Sequence, residues 1–136
     1  MSFIQKKGKT RLEWLPVTTS TALVRDTLVE WTSGLLAAAD DNDTALAGAI
    51  VKTIASTDDD YATARFIAVR VPTDRHVVWR TTTADTAVAA THQGGEYGIA
   101  DSGTIDLDDT TNKVFLVTKV IDASTVEGYL KINGSY

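Results

Sequence analysis

Apolar and polar residues alternate with a period of two along much of this chain, and that pattern predicts strands. Residues 65–71 (RFIAVRV) set Ile67, Val69 and Val71 on one face and Phe66, Ala68 and Arg70 on the other, until Pro72-Thr73-Asp74 breaks the run. In residues 75–81 (RHVVWRT), His76, Val78 and Arg80 oppose Arg75, Val77, Trp79 and Thr81. Residues 113–121 (KVFLVTKVI) and 125–132 (TVEGYLKI) alternate on both sides of Asp122-Ala123-Ser124 and predict a hairpin. Shorter strands are predicted at 97–100 and 104–107, on either side of the Asp101-Ser102-Gly103 turn. Residues 84–90 (ADTAVAA) suit one helical turn capped by Asp85.

Two segments admit two readings. In LVEWTSGLLAAA (28–39), two short apolar runs flank Thr-Ser-Gly, which predicts a hairpin with Gly34 at the position that needs a positive φ. A helix capped by Thr21 and stopped by Gly34 also fits the spacing of Leu23, Val24, Thr27, Leu28 and Trp31, but the hairpin is preferred. The run ALAGAIVKTIA (45–55) is apolar almost throughout, and its length leaves helix and strand open. In a strand, Gly48 marks a bulge or a close backbone approach.

Eight to ten short strands at about ten-residue spacing predict an all-β barrel or sandwich. The 21 threonines, many beside Val, Ile or Ala, reinforce this, because β-branched side chains fit a pleated surface. No tandem repeat is visible. At 136 residues the chain is long enough for one domain with a core that needs no staple. Trp14, Trp31 and Trp79 are expected in that core or at contacts with neighbours, where large aromatics contribute most.

Charge divides the chain. Residues 1–11 hold Lys6, Lys7, Lys9 and Arg11 and no acid, whereas the remainder holds nine cations against eighteen acids. Residues 1–17 therefore read as an extended N-terminal arm, of which 1–11 are mobile when free and dispensable for folding while 12–15 pair with a partner or fix the arm to the body, and residues 18–136 as a single barrel domain. The net charge of −5 argues against nucleic acid, and no apolar run approaches the ~18 residues of a membrane span. Charges without an apolar stretch behind them make the start unlike a secretory signal.

The catalytic inventory is thin. There is no cysteine, so thiol chemistry and disulfides are excluded. His76 reads as a rim residue and His92 as a loop residue, and no Gly-x-Ser-x-Gly, phosphate loop or dinucleotide fingerprint is present. The acids at Asp40, Asp41 and Asp43, at Asp58 to Asp60, and at Asp106, Asp108 and Asp109 lack the spacing of a calcium loop and read as solvated turns. The expectation is a non-enzymatic protein with no catalytic, cofactor or metal residues.

With those elements laid out, TALVRDTLVEWTSGLLAAADDNDTALAGAIVKTIASTDDDY (21–61) resembles the front half of the small head decoration, or capsid cement, proteins of tailed bacteriophages. The matching residues are Leu28, Val29, Trp31, Gly34, Leu35, Thr44, Ala45, Leu46, Gly48 and Ile50; FIAVRVP, GGEYGIA and KVFLVTKVIDASTVEGYLKI also fit. The likeness spans about residues 18–132. Arg25-Asp26-Thr27 stands where the family has Gly-Asp.

The resemblance implies a small β-barrel or β-tulip on the outer surface of a phage head, present in the host cytoplasm during assembly. It implies the major capsid protein as partner and a homo-oligomer, a trimer favoured, with no cofactor, nucleic acid or membrane. On such a head the arm is expected to bind the capsid through Phe3, Ile4, Lys6, Lys7, Lys9, Arg11, Leu12 and Trp14. Two alternatives stand beside it: another virion β-module of tail, connector or fibre, and a small barrel enzyme or ligand binder.

Overall fold

The computed structural model describes residues 2–59, 61–63, 65–74, 76–84 and 87–136, and those residues are all-β apart from one 3-10 turn at Ala90–His92. The eleven strands are β1 (Ile4–Lys7), β2 (Thr10–Val17), β3 (Leu28–Thr32), β4 (Leu35–Ala38), β5 (Leu46–Ile50), β6 (Arg65–Pro72), β7 (Val78–Thr83), β8 (Glu96–Asp101), β9 (Thr104–Asp106), β10 (Phe115–Val120) and β11 (Thr125–Leu130). Arg75, expected to begin a strand, Asp85, expected to cap a helical turn, and Asp60 of the second acidic run lie outside the described residues.

The alternation is realised locally. Ile67, Val69 and Val71 of β6 point inward, and Val77, Trp79, Thr81 and Thr83 are buried in and just before β7. Ser33 and Gly34, both with positive φ (51° and 82°), join β3 to β4 in the two-residue turn whose twist suits a hairpin. The open segment 45–55 contains a strand, β5, buried at all five positions. Gly48 has φ +144°, and a Cβ there would lie 2.5 Å from the Arg70 carbonyl oxygen. The β3–β5 register slips beside it, between Val29 and Glu30. Bulge and close approach thus occur together at this glycine.

The strands close into two barrels of one topology. Barrel one runs β2-β4-β3-β5-β6 and closes through the β6–β2 pairing. Barrel two runs β7-β9-β8-β10-β11 and closes through β11–β7. In each, the first strand is parallel to the third (β2 to β4, β7 to β9) and every other pairing is antiparallel. Adding five to each strand number of barrel one reproduces barrel two. The duplication is one of architecture: turns and links differ in length, and no tandem repeat shows in the sequence.

Each chain end crosses to the other barrel. β1 precedes barrel one but pairs with β7, placing Ile4 beside Arg80. The Phe3 ring is buried edge-on against Phe115, 6.1 Å between centroids, and the Phe3 N–H donates to the Asp26 carbonyl at 2.7 Å. After barrel two, the Asn133 N–H donates to the Leu46 carbonyl at 2.9 Å and its Oδ1 accepts from Trp31 Nε1. One continuous apolar core results.

An extended arm over residues 1–17 is therefore not what forms. Ile4–Lys7 and Thr10–Val17 are strands of the two sheets, turned at Gly8 (φ +91°). The cations occupy exposed positions on those strands and the turn between them, so a sequence that looks like a solvated tail is the outer side of a hairpin-like pair. Pro16 is tolerated in β2 because that strand pairs fully only with β6 and meets β4 at Val17 alone.

Candidate interaction surface

Antiparallel register decides what β2 and β6 present to solvent. Leu12 lies opposite Arg70, Trp14 opposite Ala68, and Pro16 opposite Phe66, and paired residues share a face. The odd-numbered partners Leu15, Val17, Ile67 and Val69 turn inward, so this set turns outward. Trp14 is 68% exposed, Phe66 63% and Leu12 54%. They form one contiguous apolar face on a single strand pair. At its far end Gln5 Oε1 accepts from Thr10 Oγ1 at 2.8 Å and from Arg70 Nη1 at 3.5 Å, tying β1 to the face.

A concavity of about 650 Å³ lies beside the rings. Its second wall is the link between β5 and β6, contributing Val51 and Ile54, with Lys52, Asp58, Asp59 and Arg65 around it. Three contacts hold that wall. Ile54 and Leu23 exchange backbone hydrogen bonds of 2.8 and 3.0 Å, Asp58 Oδ2 accepts from the Ala55 N–H at 3.1 Å, and Tyr61 donates its hydroxyl to the Ser20 carbonyl at 2.8 Å.

The corresponding face of barrel two is polar. β7 and β11 place Val78 opposite Tyr129, Arg80 opposite Glu127 and Thr82 opposite Thr125. Arg80 donates through Nε and Nη2 to Glu127 Oε2 at 2.9 and 2.7 Å, and His76 stacks on Tyr129 at 4.6 Å. None of these six paired residues is exposed beyond the intermediate range. The β10–β11 link is a tight turn, residues 121–124, closed by Asp122 Oδ1 accepting from the Ser124 N–H.

Of the residues expected to bind a partner, Ile4, Lys6, Lys7, Lys9, Arg11, Leu12 and Trp14 are at the surface. Leu12 and Trp14 belong to the apolar face, and the cations stand on β1, its turn and the start of β2. Phe3 is removed from that set: it is 1% exposed, because the core against Phe115 claims it. Arg11 is paired with Glu13 at 2.9 Å in an exposed bridge of small energetic weight. The three tryptophans separate. Trp79 is buried, Trp31 is half-buried against the core, and Trp14 is exposed, so the core accounts for Trp79 and part of Trp31 and does not take Trp14. Phe66 belongs to the face but was not singled out from the sequence; its opposition to Ile67 and Val69 was the available signal, and it gained meaning only with β2 alongside.

The acidic loops lie at corresponding places in the two barrels, after β4 and after β9. An Asn112 Nδ2 to Asn42 Oδ1 hydrogen bond of 3.0 Å joins them. Carboxyls at these loops and on the strand beside the first of them behave oppositely. Glu30 is pushed above the usual glutamate range by desolvation and by neighbouring Asp43 and Asp40. Asp109 is held below the usual aspartate range by backbone N–H donors of Asn112 and Thr111. Among the described residues no three His, Asp or Glu side chains group as a metal would require, and no helix is long and apolar enough to cross a membrane. His92 accepts the Ala89 N–H on Nδ1 at 2.9 Å within the 3-10 turn. Comparison with protein-family models, curated proteins and solved structures finds no match for this chain.

Proposed function

We propose that this protein is a structural docking module, a decoration protein of a tailed-phage head, seated on the shell through the β2–β6 face. The observation that carries the reading is the contiguous exposed face of Leu12, Trp14 and Phe66 on a strand pair that needs no apolar outer surface to fold. Exposed rings on a rigid sheet have the composition of interface anchors. The phage setting comes from the sequence resemblance; the face supplies the means of attachment. Lys6, Lys7, Lys9 and Arg11 lie beside it and favour encounter with an acidic surface, an effect that salt weakens. Two barrels joined through one core and tied by both chain ends suit a clamp that holds neighbouring subunits under load.

The test is occupancy on undecorated heads of the phage that encodes the chain, measured by co-sedimentation and imaging. Wild-type protein is expected to saturate a lattice position in many copies per head. The Trp14→Ala/Phe66→Ala double variant is expected to keep its fold and lose at least ~10-fold in affinity, as removal of central aromatic anchors does. Absence of wild-type protein from heads, or its presence only on tails, would reject the reading.

A further inference from the structure

We infer that the concavity beside Trp14 and Phe66 is a socket for one large apolar side chain carried on an extended segment of a protein partner. The inference rests on the β2–β6 face being a docking surface, and it assigns the chemistry that the surface takes.

The duplicated fold supplies its own control. Barrel two shows that this topology closes with a polar outer face and a tight turn at 121–124. Barrel one departs from that solution in two independent ways at one place. Its outer face carries exposed rings, and its link, residues 51–64, is long enough to raise a wall beside them. Neither feature is required by the fold, and together they make a concavity in which each would be incomplete alone. The wall is fixed to the fold by its bonds to Leu23 and Ser20 and braced internally by Asp58 on the Ala55 N–H, so an occupant meets a preformed site. At about 650 Å³ the space exceeds a single side chain and suits one with its flanking backbone.

Area and charge select the occupant. The exposed parts of Trp14, Phe66 and Leu12 offer roughly 300 Å² of apolar surface per copy, from the 150–250 Å² typical of a buried aromatic. That is well below the ~800 Å² per partner of a stable free-standing dimer, so a second copy of this face is a poor occupant. The rim carries both signs: Lys52 and Asp59 are exposed, and Asp58 pairs with Arg65 at 3.8 Å. A peptide segment with polar residues flanking an apolar anchor matches a rim of mixed sign around an apolar centre.

The experiment titrates N-acetyl-tryptophanamide into the full-length protein and follows amide shifts by NMR. Expected are saturable shifts confined to β2, β6 and residues 51–59. The Trp14→Ala/Phe66→Ala double variant, which strips the socket of its rings, should abolish them, and Phe66→Ala alone should weaken them at least ~10-fold. Thr82→Ala on barrel two should change nothing. On undecorated heads, Phe66→Ala, a substitution at an exposed ring, should lower occupancy at least ~10-fold while retaining the wild-type melting curve. Shifts scattered over the surface or centred on barrel two would overturn the socket. So would a dimer seen by sedimentation without any partner and abolished by Trp14→Ala, because a second copy would then be the occupant. Saturable shifts at the socket in a protein that ignores heads would leave the socket standing and reject the head assignment.

Discussion

β2 and β7 are the first strands of two barrels with one topology, and each carries a tryptophan. Trp79 sits at an inward position of β7 and is buried; Trp14 sits at an outward position of β2 and stands in solvent. The residue type is the same, and strand parity decides the outcome. One ring serves folding and the other is free to serve recognition. The sharpest way to break this comparison is to truncate each ring. Trp79→Ala is expected to cost ~3–5 kcal/mol, the range for emptying a large aromatic site in a packed core. Trp14→Ala is expected to stay within ~0.5 kcal/mol of wild type, as exposed substitutions usually do. Urea unfolding of both variants measures the difference. Equal losses would mean that the parity of β2 is misassigned.

The barrels also differ in how the chain begins. Barrel two borrows β1, which comes before barrel one in the chain but pairs with β7. Phe3→Ala is therefore expected to destabilise by ~3–4 kcal/mol, because the ring fills a buried place against Phe115. Removal of residues 1–9 should cost at least as much, since it also takes the β1–β7 pairing. Thermal melts of both variants check this. A truncated chain as stable as wild type would restore the picture of a dispensable arm.

What was legible in the sequence follows the range of the forces involved. The faces of 65–71 were readable because alternation is local, and Ile67, Val69 and Val71 are buried as that pattern requires. The Ser33-Gly34 turn was readable because its backbone angles are written in its residue types. β1 and β2 were not. Their partners, β7 and β6, lie distant along the chain, no nearer than Val17 to Arg65, and four cations on exposed positions disguised two strands as a tail. Residues 113–121 were only half legible. Alternation holds through Val117, but a register shift before Lys119 breaks the regular ladder. The duplication left no trace, because two barrels of equal topology are filled with different residues and joined by links of different length. For the site, Leu12 and Trp14 were named for their chemistry, but their place beside Phe66 and a fixed wall required the fold.

A smaller effect probes the strand crossings. Gly48 of β5 passes so close to β6 that a methyl group would meet the Arg70 carbonyl and the Val69 side chain, and its φ of +144° is strained for any other residue. Gly48→Ala is expected to cost ~2–3 kcal/mol, combining backbone strain with overpacking. Gly34→Ala, where a Cβ meets only open space, should cost ~1 kcal/mol from φ alone. Denaturant midpoints for the pair separate close approach from conformation.

The smallest expected effect concerns the acidic loops, where the barrels again take opposite courses. Glu30 has its folded-state pKa raised, first by desolvation and then by Asp43 and Asp40. The folded protein therefore holds this proton to higher pH than the unfolded chain does. Stability declines as pH rises from the ordinary glutamate value, 4.5, through the raised one, and the full penalty is present at neutral pH. Glu30→Gln removes that penalty and is expected to stabilise the protein at pH 7 by no more than ~0.5 kcal/mol, a gain that fades as pH falls through the raised pKa toward 4.5. Asp109 is the mirror case. Its pKa is lowered by the Asn112 and Thr111 N–H donors, so its stabilisation is complete above the ordinary aspartate value, 3.8, and is lost as pH falls through the lowered one. Asp109→Ala should cost ~1 kcal/mol at pH 7, the usual net worth of such hydrogen bonds, and less in stronger acid. Melting both variants from neutral pH down through the ordinary values of 4.5 and 3.8 and into stronger acid tests the contrast. Opposite signs at neutral pH, converging toward wild type in acid, are the expected result; variants that shift in the same direction would show that the two loops share one electrostatic setting despite their different donors.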